Sequence, residues 1–207
     1  MCKVGFVDDD FNEFGNYKKR LARKGIDLHF VDNCTSLMEI EDWVLKNTIE
    51  CLLVDHKLTA KYAFYGTKVV AYINNHLPDL PCIILTNFPE DSADDRLVIR
   101  NLIFDRNVLS SDGEKFSNFC ETVIQSTEVF RNRLKLHLDE YTDLLGKKTT
   151  HKITAEEEEV FLHHYRILRS YGEVDDVATE LLKSDVNRKM DSLLEKLDRY
   201  IDINNKQ

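Results

Sequence analysis

Three consecutive carboxylates, Asp8, Asp9 and Asp10, follow the short apolar run Val4 to Val7 near the start of the chain. Like charges this close raise one another's pKa and oppose folding unless a cation or a solvated edge relieves them. A further carboxylate, Asp55, directly follows the apolar run Cys51 to Val54, and a hydroxyl, Thr86, follows Cys82 to Leu85. Clustered carboxylate oxygens suit a hard divalent cation, and Mg2+ takes one or two carboxylates while keeping several waters. Such an ion would relieve the repulsion and neutralise charge on a phosphoryl group in transfer. A carboxylate beside it can serve as a nucleophile, forming an aspartyl phosphate.

These groups meet only if the apolar runs are strands of one sheet. Strands are expected at Val4 to Val7, Leu28 to Val31, Cys51 to Val54, Cys82 to Leu85 and, more weakly, Asn107 to Leu109. Helical periodicity fills the intervals: about Phe11 to Lys24, Ser36 to Asn47, Gly66 to His76 and Asp91 to Ile103. The alternation predicts an α/β fold, a doubly wound five-stranded parallel sheet with helices on both faces. In such a sheet ligands bind outside the carboxyl ends of the strands, which is where Asp8, Asp9, Asp55 and Thr86 fall.

Beyond about Asp112 the strand signal vanishes and an all-helical C-terminal extension is expected. One helix runs from near Lys115 to Leu145, with Gly146 ending it. Thr154 to Glu157 is a capping-box pattern that opens a second helix, and a third is expected from about Val174. The apolar stripes suit a helical hairpin or bundle core, and that of the third helix equally suits the seam of a homodimer.

Of the 207 residues 43% are apolar and 31% charged, an ordinary globular balance, and the net charge is -9. Acidic residues outnumber basic ones in both halves, so nucleic acid is disfavoured as a partner. Five scattered cysteines without a C-x-x-C pair read as reduced thiols in a cytoplasmic protein. No apolar run approaches the ~18 residues of a membrane span, and no signal peptide is evident. The seven histidines show no metal-ligand spacing; His163 and His164, being adjacent, point to different sides of a helix.

Over about residues 1–120 the chain resembles the CheY-like receiver domain of two-component response regulators. The resemblance rests on the acidic pair in FVDDD, on CLLVD ending at Asp55, and on IILT ending at Thr86. It implies a receiver-like domain at 1–120 followed by a helical region at 121–207, in a signalling phosphoprotein that is not an enzyme. It further implies Mg2+ held by Asp8, Asp9, Asp55 and the backbone carbonyl of Lys57, with Asp55 as phosphoacceptor. Thr86 matches the hydroxyl that follows the phosphoryl group. A sensor histidine kinase or phosphotransfer protein would supply that group, and a protein output partner would read it through the C-terminal helices.

Receivers also end the fifth strand with a lysine that pairs with the phosphoryl oxygens, and carry a switch aromatic in that strand. With the strand at Asn107 to Leu109, Ser110 or Ser111 stands in place of the lysine, and Asn107 or Val108 in place of the aromatic. Lys57 and Lys115 do not sit at the matching position. These departures favour an alternative, a pseudo-receiver that binds proteins independently of phosphorylation. The Asp-x-Asp spacing at Asp8 and Asp10 is also similar to that of haloacid-dehalogenase-like phosphohydrolases, a reading that leaves Asp55 unexplained.

Overall fold

Strands β3 (Cys51–Asp55) and β4 (Cys82–Thr86) are buried along their whole length, which is why CLLVD and CIILT read as continuous apolar runs and not as alternating ones. With β1 (Cys2–Val7), β2 (Ile26–Phe30) and β5 (Ile103–Asp105) they form one parallel sheet in the order β2-β1-β3-β4-β5. The computed structural model describes residues 1–58, 61–89, 97–150 and 153–175. The expected third C-terminal helix lies almost wholly outside them.

Helix α1 (Phe14–Ala22) buries Phe14, Tyr17 and Leu21 against the sheet, and α2 (Leu37–Lys46) buries Ile40 and Val44. Helix α2 starts where Ser36 accepts from the Glu39 N–H while the Glu39 carboxylate accepts from the Ser36 N–H, a complete capping box. Helix α3 (Gly66–His76) has the bounds expected from its periodicity.

The fifth strand differs from expectation. It is Ile103–Asp105, three residues long, and the segment Arg106–Leu109 is a 3-10 turn. Val108 and Leu109 are buried in that turn as fully as a strand would bury them, so their apolar character does not distinguish the two. The Asp105 carboxylate accepts from the Asn107 N–H at 2.9 Å and closes the turn. Of the helix expected over Asp91 to Ile103, residues 91–96 lie outside the described residues, Arg100–Leu102 is a 3-10 turn, and Ile103 opens β5.

Helix α4 (Glu114–Thr150) follows, and its first turns supply Phe116, Phe119, Cys120 and Val123 to the sheet's core. It does not stop at Gly146. The Thr149 and Thr150 hydroxyls donate back to the Gly146 carbonyl, both at 2.9 Å, and bind the last turn to the glycine. By its contacts the chain divides into two units within this helix, between Lys135 and Leu136. The expected boundary was residue 120; the core of the first unit draws on α4 as far as Val123 and Ile124.

In the second unit α5 (Ala155–Ser170) buries Phe161 and Leu162 against Tyr141 and Leu144 of α4. Its start is the expected capping box, with the Thr154 hydroxyl accepting from the Glu157 N–H at 3.2 Å. Replacing Thr154 with alanine should cost about 1 kcal/mol of stability, read as a lower urea midpoint by far-UV circular dichroism. An unchanged midpoint would remove the cap from the account.

All five cysteines are buried free thiols. Among the described residues, no helix is long and apolar enough to cross a membrane.

Candidate functional site

The strand order reverses at β1, whose neighbours on either side are β2 and β3, so the crevice of this sheet opens at the carboxyl ends of β1 and β3. Val7 pairs with Val54 across that gap, which sets Asp8, the next residue, beside Asp55. Asp55 in turn pairs with Leu85, and Thr86 with Asp105. Register alone therefore brings the acidic strand ends and Thr86 to one edge.

The Asp8 side chain is fully buried, Asp55 is buried, Asp9 is half-buried and Asp10 is exposed. One carboxylate oxygen from each of Asp8, Asp9 and Asp55 lies within 4.8 Å of the others. Backbone amides orient the two buried groups: the Asp10 N–H donates to Asp8 Oδ1 and the Lys57 N–H to Asp55 Oδ2, both at 2.9 Å. Asp10 accepts from the Asn12 N–H, closing a turn ahead of α1 without capping the helix itself, whose N-cap is Glu13. Thr86 is buried at the end of β4, and its Oγ1 accepts from the Phe88 N–H at 3.0 Å. The Lys57 ammonium lies over the Phe88 ring, 4.0 Å from its centroid. Asp9, Asp55, Lys57, Thr86, Phe88 and others line a cleft of about 400 Å³.

Sequence reasoning missed Arg106. It is the first residue after β5, and its guanidinium forks across the two buried carboxylates, Nη1 donating to Asp55 Oδ1 at 2.9 Å and Nη2 to Asp8 Oδ2 at 2.6 Å. Tyr17 of α1 lines the cleft beside the guanidinium. The expectation that Ser110 or Ser111 occupies this place is corrected: both lie beyond the 3-10 turn, where Ser111 Oγ donates to the Val108 carbonyl and Arg20 donates to the Ser111 carbonyl. The error followed from setting β5 four residues late. With β5 at IFD the strand also contains an aromatic, Phe104, which packs edge-on against Phe119 at 5.2 Å. The legible signal was the apolar pair Ile103 and Phe104 ending in Asp-Arg.

One guanidinium serves two carboxylates, and a third stands beside them. Burial pushes Asp8 up to about 6; the Asp10 N–H and Arg106 oppose this, and the Asp55 charge adds to it. Burial likewise raises Asp55, against the opposing pull of Arg106 and the Lys57 N–H. Burial works against the Arg106 charge, but the two carboxylates and Tyr17 together hold its pKa above the ordinary arginine value. Among the described residues the pocket gathers three carboxylates beside the Arg106 guanidinium and the Lys57 side chain. Its remaining donors are hard oxygens at close spacing, a set that fits Mg2+.

The strand order defines a class, the flavodoxin-like doubly wound parallel sheet, followed here by a helical C-terminal region. No family model matches the chain, and no curated protein matches it in sequence. Among solved structures it is similar to a response regulator receiver domain protein from Clostridium thermocellum, with 19% identity, 66% of this chain and 98% of that one covered, and a TM-score of 0.45. It is similar too to the signal receiver domain of an HD domain-containing protein from Pseudomonas fluorescens Pf-5, with 12% identity, 64% and 90% covered, and a TM-score of 0.49. A CheY-like response regulator receiver domain protein from Methanospirillum hungatei JF-1 is 14% identical over 64% of this chain and 98% of its own, with a TM-score of 0.47. The fold is set by the strand order and register described above; these likenesses add no residue roles.

Proposed function

We propose that the chain is a signalling receiver in which Asp55 accepts a phosphoryl group and passes the change to a protein partner through the helices that follow. The observation that carries this reading is the fork of Arg106 across Asp8 and Asp55, which restores the strand-end cation that the sequence seemed to lack. An oxygen of Asp55 would attack the phosphorus of a phosphohistidine on a sensor kinase or phosphotransfer protein. The P–N bond breaks, and the departing imidazole takes up a proton. Asp8 and Asp9, with Asp55 and the Lys57 carbonyl, would hold Mg2+, which supplies charge neutralisation at the phosphoryl oxygens. Arg106 and Thr86 line the same cleft, where their side chains would meet the new oxygens.

Arg106 begins the 3-10 turn that leads toward α4. Exchange of its Asp55 partner for a phosphoryl group would shift the population of that turn, and with it the face offered to an output protein. The test is incubation of the full chain with Mg2+ and acetyl phosphate, or with beryllofluoride, followed by intact mass and fluorine NMR. Asp55→Asn should abolish the adduct; an adduct that survives in the variant overturns Asp55 as acceptor.

The same fork also favours a second reading, a pseudo-receiver whose pocket is closed by its own guanidinium and which binds proteins without phosphorylation. Mg2+ binding with no adduct from either small donor or from a phosphorylated phosphotransfer protein would decide for it.

A further inference from the structure

Three histidines converge in the unit that follows Lys135. His137 is on α4, His163 and His164 are on α5, and one ring nitrogen of each lies within 4.8 Å of the others. The Nδ1 atoms of His137 and His164 are 2.8 Å apart. His164 is buried, His137 half-buried and His163 exposed. Adjacent positions on α5 had suggested divergent rings, but their rings flank a third histidine supplied from the other helix, and their centroids are 5.4 Å apart.

The other nitrogen of His164 decides the chemistry. Nε2 is 2.6 Å from Glu140 Oε2. An ionised carboxylate only accepts, so Nε2 carries the proton, and in the neutral ring Nδ1 then keeps its lone pair on the side that faces His137 Nδ1. A histidine that donates its far N–H to a carboxylate while its near nitrogen faces other imidazoles has the arrangement of a metal ligand held by an outer partner.

We propose that His137, His163 and His164 form a site for a divalent transition metal ion, Zn2+ foremost, with Glu140 as the outer partner that orients His164. Three imidazoles leave one position open on a tetrahedral ion, and the exposed His163 side gives a path for entry. Imidazole nitrogens select Zn2+, Cu2+ or Ni2+ over Mg2+, so this site and the carboxylate pocket would not compete for one ion. Two nitrogens bound to one tetrahedral Zn2+ stand about 3.3 Å apart, from bonds of about 2.0 Å. The His137 to His164 approach would open slightly and His163 would close in, both by side-chain rotation. The ion would tie α4 to α5 and close a loop between residues 27 apart in sequence, adding to the Lys147–Glu157 and Lys148–Glu158 bridges between the same helices.

The test uses the full chain with a phosphine reductant and Mg2+ in excess, titrated with zinc chloride by calorimetry, with thermal unfolding in parallel. One Zn2+ per chain and a raised melting temperature are expected, since binding to the folded form alone stabilises it. Glu140→Gln should weaken binding about 10- to 100-fold, and His163→Gln, at an exposed position that keeps the fold, at least about 10-fold. Asp8→Asn should leave Zn2+ affinity unchanged. Circular dichroism of each variant checks that the helices persist. Absence of Zn2+ binding, native affinity retained in both His163→Gln and His137→Gln, or loss in Asp8→Asn alone would each overturn the site.

Discussion

Arg106→Ala should destabilise the Mg2+-free protein by about 3 kcal/mol, toward the low end for removing one partner of a buried ion pair because the site borders a cleft. The variant leaves Asp8 fully buried and Asp55 nearly so, with backbone amides as their main remaining donors. The loss should depend on pH. Asp8 has a folded pKa near 6, above its ordinary 3.8, so the fold prefers its protonated form. Its carboxylate therefore lowers stability as pH rises from about 4 through 6, and the cost is relieved as pH falls back through that window. Removing Arg106 takes away an influence that holds this pKa down, so the deficit of the variant should be larger at pH 8 than at pH 5.

Urea unfolding followed by the single tryptophan, Trp43 on α2, reads both effects. Saturating Mg2+ should recover more stability in Arg106→Ala than in the native protein, because the ion then meets carboxylates that no guanidinium holds. Arg106→Lys should recover part of the loss: it restores a charge but not the planar fork that reaches both acids at once. A deficit below about 1 kcal/mol with no pH dependence would show that Arg106 does not neutralise the pocket.

Gly66→Ala should be the most damaging single-methyl change near the site. A Cβ at Gly66 would fall 2.1 Å from the Asp55 carbonyl oxygen and 2.9 Å from Val54 Cγ1. The first of these is backbone at the end of a buried strand, so relief requires moving either β3 or the start of α3. The Gly66 N–H also donates to the His56 carbonyl at 2.8 Å, closing the loop that leaves Asp55. Overpacking costs about 1–3 kcal/mol where side chains can give, and a clash with backbone belongs at or beyond the upper end. Because the displaced atoms belong to Asp55, the beryllofluoride adduct should weaken more than stability alone explains. Gly15→Ala is the control: an added Cβ meets nothing within 4 Å, and alanine within α1 should be neutral or stabilise by up to about 1 kcal/mol. Equal stability of the two variants would sink the account of Gly66.

Asp8, Asp9, Asp55 and Thr86 were legible because each stands at or next to the end of an apolar run. Runs long enough to be buried on both faces, CLLVD and CIILT, declare parallel strands without help from the rest of the chain. A residue at a strand's carboxyl end then acquires a position in the crevice. The capping box at Thr154 was legible because both partners lie three residues apart; the one at Ser36 has the same spacing and was seen only in the structure.

What the amino-acid sequence determined by itself is the set of local elements, their alternation, and the carboxylates and hydroxyl at the strand ends. What only the tertiary structure decided is which distant charge answers those carboxylates and which distant rings face one another. Arg106 is 98 residues from Asp8 and 51 from Asp55, on a strand of three residues too short to announce itself beside the buried pair Val108 and Leu109. His137 and His164 are 27 residues apart on separate helices. Periodicity reports the face a residue shares with its neighbours in sequence; pairing across a sheet edge or a helix hairpin depends on register between elements. Register is settled only when the cores on either side have packed.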